Sequence, residues 1–331
     1  MIRGCLPIMR KYNALLAALA LIVFFCSPFV GVASISPQNI FESGSVDALV
    51  FWEIRTPRAV LAFFVGAALA LSGLLFQTLF RNPLMTPFTL GVSSGATLGA
   101  AIAIYLGLGA SLLGFSAVTL FAFLAAVVTT LLLAAFAGRF RSFATMNLLL
   151  LGVALSHFYM AFLFVIYYVG SSLQIHSIVS FTLGNLSTTG FTELSPVVVF
   201  SLSLLFVSLF FAPELKLLAV SDENAKLKGV DTTKVTLLLL LAVSAAVGAA
   251  VSVAGPIGFV GLIIPHLLKK LFRRPAGSLV LTTFLGGGIF LLLCDIVSRS
   301  MGTDSEVPIG VVTAFLGGPF FIYLILSRTK N

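Results

Sequence analysis

A chain of 331 residues that is 59% hydrophobic and only 9% charged, with a mean hydropathy of +1.15, is far more apolar than a soluble domain, in which about a quarter of residues carry charge. That excludes an ordinary soluble enzyme and places the chain among polytopic membrane proteins. The net charge of +8 does not point to nucleic acid, because the basic residues fall between apolar runs and form no single stripe, so their placement reports topology.

A membrane-crossing helix needs roughly 20 apolar residues, and the apolar runs predict about ten spans, at 13–34, 56–80, 89–109, 113–137, 146–169, 194–212, 235–253, 255–271, 278–298 and 308–327. The first run follows Arg10 and Lys11 and is too long for the core of a cleaved signal peptide, so a retained span is expected. Cys5 precedes it, and Cys26 and Cys294 lie inside apolar runs with no C-x-x-C pair. Neither a disulfide framework nor a metal site is therefore expected. The second span opens on W-E-I-R-T-P-R, where Pro57 is suited to the first turn of a helix. Ala62, Gly66 and Ala70, then Gly91, Gly95 and Gly99, recur every four positions, a spacing that lets helix backbones approach closely in lipid.

Between spans two and three lies R-N-P-L-M-T-P-F-T-L-G-V-S-S-G-A, 81–96. Two prolines and the small residues break regular helix there. Irregular backbone at membrane depth is tolerated only inside protein or along a cavity, so this segment is a candidate pore lining or gate, the alternative being an ordinary turn. Span five carries His157, Met160, Phe164 and Tyr168 at helical spacing. They form a candidate pore-lining stripe, or else the packed and interfacial aromatics usual in membrane helices. His176 and His266 are too distant to complete a three-histidine metal site.

The longest polar segment, 213–234, includes S-D-E-N-A-K-L-K-G-V-D-T-T-K. Its mixed charge suits a docking surface or a solvated connector. The apolar stretch from Val235 to Leu268 would be about 51 Å long as one helix, and Gly255-Pro256 is expected to split it. Asp295 is the one acid near membrane depth and lies four residues before Arg299, a spacing at which they can pair on one helix face.

Ten spans put both termini on one side. With that side cytoplasmic, only Arg55, Arg58 and Arg299 of the 19 basic residues face outward, which obeys the positive-inside rule. Outward arginines either anchor helix ends or meet carboxylates on a soluble partner. The chain has no G-x-x-x-x-G-K-[ST], no G-x-S-x-G and no H-E-x-x-H, so neither a nucleotide site nor a hydrolase site is expected. Uphill transport would need energy from another subunit. A secondary transporter would need midplane ion ligands, and Asp295 is the only candidate. A receptor or static bundle would have no need of the broken segments.

Three motifs resemble a known family, the FecCD-type permeases of iron-siderophore, heme and vitamin B12 ABC importers. They are R-T-P-R-A-V-L-A-F-F-V-G-A-A-L-A-L-S-G-L-L-F-Q at 55–77 running into R-N-P-L at 81–84, G-P-I-G-F-V-G-L-I-I-P-H at 255–266, and E-V-P-I-G-V-V-T-A-F-L-G-G-P-F-F at 306–321. With the ten-span plan the resemblance covers nearly the whole chain. It implies an all-α polytopic protein of about ten transmembrane helices per subunit, in the type II ABC importer architecture, with residues 1–331 as a single permease domain. It implies a homodimer in the bacterial inner membrane with both termini cytoplasmic, two cytoplasmic ATPase subunits and one periplasmic binding protein.

The same resemblance implies no enzyme activity and no cofactor on this chain, ATP being used by the partner. The binding protein would dock at Arg55, Arg58 and Arg299. The segment 213–234 would couple to the ATPase through Ser221, Asp222, Glu223, Ala225, Lys226 and Gly229. The cytoplasmic gate would lie at Asn82, Leu84, Thr145 and Met146, where Met146 departs from the more polar gate of the B12 permease. The implied cargo is a metal chelate, a ferric siderophore before heme or vitamin B12. His157, Tyr159 and Met160 are side chains of the kind that ligate haem iron.

Overall fold

A computed structural model describes residues 6–31, 35–42, 44–108, 111–112, 115–139, 145–188, 190–301 and 306–328. Each of the ten expected spans contains a helix: α1 (Leu6–Cys26), α3 (Thr56–Leu79), α4 (Val92–Tyr105), α5 (Ala117–Arg139), α6 (Thr145–Val169), α8 (Ser195–Phe210), α11 (Thr232–Ala254), α12 (Val260–Phe272), α13 (Val280–Met301) and α14 (Ile309–Arg328). Four short helices lie between them: α2 (Val46–Leu49), α7 (Ser172–Thr182), α9 (Ala212–Leu218) and α10 (Asp222–Leu227). The only strand pairing among the described residues is a two-residue antiparallel contact of Ser111–Leu112 with Phe115–Ser116. Among the described residues, six helical stretches are by length and composition long and apolar enough to cross a membrane, and three more, at 92–105, 117–133 and 309–324, are apolar but shorter.

Helix α3 is the centre of the bundle. Nearly every side chain from Pro57 to Thr78 is buried, and α8, α11, α12 and α13 pack around it. The small residues on α3 explain this. A methyl group on Gly66 would lie 2.4 Å from the Gly287 carbonyl oxygen on α13, and one on Gly287 would meet Gly66 in the same way. Only a residue without Cβ lets two helix backbones come this close, and in lipid such packing replaces the hydrophobic drive. Helix α6 is the opposite case. Only 11% of its membrane-length window is buried; one side packs on α4, and the rest is free for lipid or another chain.

The structure departs from the expected spans in three places. Helix α3 matches the expected second span, but helix already runs before it. Residues 46–79 form one helical rod, with a π-helical segment, Val50–Arg55, joining α2 to α3. The wider π turn brings the Thr56 N–H onto the Phe51 carbonyl. Pro57, which has no N–H to give, then continues the rod from the first turn of α3. Such π segments gather at functional sites, and this one carries Arg55.

The eighth span is only partly helical. Helix α12 has 13 residues, about 20 Å at 1.5 Å per residue, which is short of a core of about 30 Å. The stretch 255–259 before it is unwound. Gly255 has φ +69° and Phe259 φ +66°, and the residue before a proline avoids the α region. The Asn185 N–H donates to the Ala254 carbonyl at 2.9 Å, so the broken helix end is satisfied inside the protein, as membrane depth requires. Finally, α7 occupies part of the loop after the fifth span. Its capping box, Ser171 with Gln174, has no long apolar run to announce it.

Candidate functional site

Arg55, Arg58 and Arg299 converge at one end of the bundle. Each sits where its helix leaves the apolar run: Arg55 in the π segment, Arg58 in the first turn of α3, Arg299 in the last turn of α13. All three are buried. Arg58 Nε donates to Asp295 Oδ1 at 2.7 Å, and Arg58 Nη1 donates to Glu306 Oε2. Arg299 Nη2 lies 3.0 Å from Asp295 Oδ2 as an ion pair, off the hydrogen-bonding line. It also donates to Ser27 Oγ at 2.8 Å, and Arg299 Nη1 donates to the Val30 carbonyl at 2.8 Å. Arg55 Nη1 donates to the Pro28 carbonyl at 3.1 Å.

The three expected docking arginines thus form one buried, linked cluster. Most of their donors bond inside the chain, tying α3 and α13 to the segment after α1 and the residues before α14, while Arg299 Nε is buried with no hydrogen-bond partner among the described residues. The pairing of Asp295 with Arg299 on one helix face is present. Glu306, which lies 248 positions from Arg58, carries no local sequence signal for its role.

Beside this knot is a cavity of about 270 Å³ lined by Arg58, Ser180, Asn185, Ser187 and residues 306–309. A larger one, about 300 Å³, lies between α4, α6, α7 and the unwound stretch. Its lining includes Ser94, Thr97, Tyr159, Met160, Phe164 and Tyr167, with Phe88 and Pro256 closing it. Its polar groups are hydroxyls and it has no formally charged side chain. Of the four pore-lining candidates, Met160 and Phe164 face this cavity, while His157 and Tyr168 are exposed and lie outside its lining. Ser156, Tyr159, Leu163 and Tyr167 of α6 line it as well. Tyr159 shares a hydrogen bond of 3.0 Å with Thr129 Oγ1. Among the described residues no three His, Cys, Asp or Glu side chains gather as a metal site.

The turn 80–91 leads from α3 to this cavity. Asn82 Oδ1 accepts from Leu84 N at 3.0 Å, and the Thr86 and Thr89 hydroxyls bond the backbone across the next turn. Phe88, from the same turn, lines the cavity. The side chains of Thr145 and Met146 lie outside the described residues.

At the other end of that turn, Arg81 Nη2 meets Asp222 Oδ2 at 3.1 Å. Asp222 opens α10, which Ser221 caps by accepting from Asn224 N at 3.0 Å. Ala225 is fully buried, whereas Glu223, Lys226 and Gly229 are exposed. Gly229, at φ +82°, ends the helix in a left-handed turn. Asp231 then caps α11 by accepting from Lys234 N, and that bond holds its carboxyl below the usual range. The segment 213–234 is thus an elbow of two short helices, with Leu227 85% and Val220 68% exposed.

A profile described as the FecCD transport family matches residues 19–327. The chain belongs to that family. Among its relatives, the probable iron chelatin transport system permease of Helicobacter pylori strain 26695 is 38% identical over 86% of this chain and 84% of its own length. The hemin transport system permease of Yersinia pestis is 33% identical over 97% of both chains. The vitamin B12 import system permease of Salmonella typhi is 36% identical over 96% of this chain and 94% of its own. A solved structure described as an inward-facing conformation of a metal-chelate type ABC transporter superposes with a TM-score of 0.84 at 32% identity, over 96% of this chain and 99% of that one. As a FecCD permease, the chain is an all-α, multi-pass transport subunit.

Proposed function

We propose that this permease moves a metal chelate, a ferric siderophore foremost, from periplasm to cytoplasm by alternating access in the bacterial inner membrane. The observation that carries the proposal is the reach of the turn 81–91. It contributes Phe88 to the hydroxyl- and aromatic-lined cavity and, through Arg81, holds Asp222 of the elbow. Motion of the elbow is therefore delivered to the wall of the path through one short, hydrogen-bonded segment.

The remaining assembly follows from that reading. Two copies of the chain face each other across the free side of α6, and both termini lie in the cytoplasm. Two ATPase subunits, which hold the nucleotide, grip the exposed Leu227 and Val220 of the elbow. A periplasmic binding protein delivers the chelate at the arginine end. The uncharged cavity suits a cargo that must leave as readily as it enters, and the chain itself performs no chemistry. The names of the relatives support the chelate class, with heme and vitamin B12 as the alternative cargoes. A secondary transporter is disfavoured because Asp295, its one candidate ion ligand, is already held between Arg58 and Arg299.

The test is reconstitution of the chain in liposomes with the ATPase encoded beside it. ATP hydrolysis is followed as binding protein loaded with ferric siderophore, heme or B12 is titrated. Stimulation by the siderophore complex supports the proposal. Uptake that follows an imposed ion gradient without any ATPase overturns it.

A further inference from the structure

Arg58 holds two carboxylates that differ in kind. Asp295 is wholly buried and is shared with Arg299, whereas the Glu306 side chain is 44% exposed. Glu306 stands at the mouth of the 270 Å³ cavity, whose other polar lining is Ser180, Asn185 and Ser187. Arg58 thus has a fixed inner counter-ion and an outer one at the surface. Remove the Glu306 carboxylate, and the outer edge of the guanidinium faces a pocket of hydroxyl and amide groups, a ready receptor for another carboxylate. We propose that Glu306 is an exchangeable occupant of this receptor, held there until an acidic side chain of a docking protein displaces it. The proposal rests on the reading that a binding protein docks at this end.

The energetics favour exchange over simple binding. A buried guanidinium left without a counter-ion is costly. Replacing one carboxylate by another keeps Arg58 compensated at every stage, while Glu306, already half in water, returns to solvent at little cost. Docking is then specific for acid yet readily reversed. Exchange also has a mechanical result. Val307 accepts from Ser298 Oγ, and Pro308 leads into α14. Gly310, in the first turn of α14, packs so closely on the Leu183 carbonyl that a Cβ there would lie 2.2 Å from it. Release of Glu306 unpins the start of α14 beside the junction of 181–185 with the unwound stretch 255–259. A partner that captures Arg58 thereby loosens the outer end of the path.

The experiment measures binding of the chelate-loaded binding protein encoded with this permease to the full-length chain in nanodiscs. Wild type is compared with Glu306→Gln, Glu306→Ala and Arg58→Lys, each first checked for an unchanged unfolding temperature. An amide is a much weaker partner for Arg than a carboxylate, so Glu306→Gln is expected to tighten binding about tenfold, Glu306→Ala at least as much, and Arg58→Lys to weaken it. If both Glu306 variants bind like wild type while Arg58→Lys weakens binding, exchange is wrong and docking at Arg58 stands. Weaker binding by the Glu306 variants also overturns exchange, since Glu306 would then be positioning Arg58 for the partner. If none of the variants changes binding, the docking reading itself fails.

Discussion

Arg58 Nε donates to Asp295 Oδ1 at 2.7 Å across 237 positions of sequence, joining the first turn of α3 to the last part of α13. The same carboxylate is the counter-ion of Arg299. One aspartate, with no solvent exposure, therefore serves two buried arginines. A buried ion pair adds little over apolar packing, yet removing one partner leaves an uncompensated charge and costs about 3–5 kcal/mol.

Asp295→Asn is therefore expected to lower the unfolding temperature strongly in detergent, and to reduce uptake in proportion to the folded protein that remains. Thermal unfolding followed by tryptophan fluorescence and a transport assay measure the two quantities. A variant that folds like wild type and yet transports nothing would instead make Asp295 a ligand for a coupling ion.

The close contact of α3 with α12 gives a second prediction. A Cβ on Gly73 would lie 1.9 Å from the Gly261 carbonyl oxygen, and that oxygen already accepts a hydrogen bond from Gln77 Nε2. Gly73→Ala must push two backbones apart. The cost expected for overpacking is about 1–3 kcal/mol or more, read as lost expression and a lower unfolding temperature. Gly318→Ala is the control, because nothing lies within 4 Å of the Cβ it would add.

Local chemistry made most of this architecture legible. Apolar length marked the ten spans, the four-residue spacing of Ala62, Gly66 and Ala70 marked the face of closest packing, and Gly255-Pro256 marked the break. Helix continuity through Pro57 was not legible, because it depends on a π turn set by the backbone around Phe51 and Thr56. Glu306, the partner of Arg58 just before α14, was not legible either, since a pairing over 248 positions is decided by the packed bundle. The cavity-facing side of α6 was legible only in part, through Met160 and Phe164, while Ser156, Leu163 and Tyr167 carried no signal. An apolar helix with polar groups on several faces offers no moment to orient it, and contacts such as Tyr159 with Thr129 decide.

The pair Arg81–Asp222 separates stability from coupling. Both side chains are about half exposed, and an exposed ion pair contributes under about 1 kcal/mol. Arg81→Asp should therefore fold normally. Because Arg81 joins the elbow to the turn that carries Phe88, the same variant should uncouple ATP hydrolysis from uptake. The double exchange Arg81→Asp with Asp222→Arg should restore part of the coupling. Equal coupling in the wild type and the single variant would mean that the elbow acts through other contacts.

The cavity between α4 and α6 is open to direct probing, because only a thiol that meets water ionises and reacts. Cys5, Cys26 and Cys294 would first be replaced, and single cysteines then introduced at Ser94, Met160 and Tyr167, with Phe206 as a reference. Phe206 is 71% exposed on α8, an apolar helix whose exposed side is expected to face hydrocarbon. The three cavity positions are expected to react with a polar, membrane-impermeant thiol reagent and to be shielded when chelate-loaded binding protein and ATPase are present. Phe206→Cys is expected to stay unreacted in both conditions. Labelling of Met160→Cys that the transported chelate does not slow would place the path elsewhere, on the exposed side of α6 that carries His157 and Tyr168.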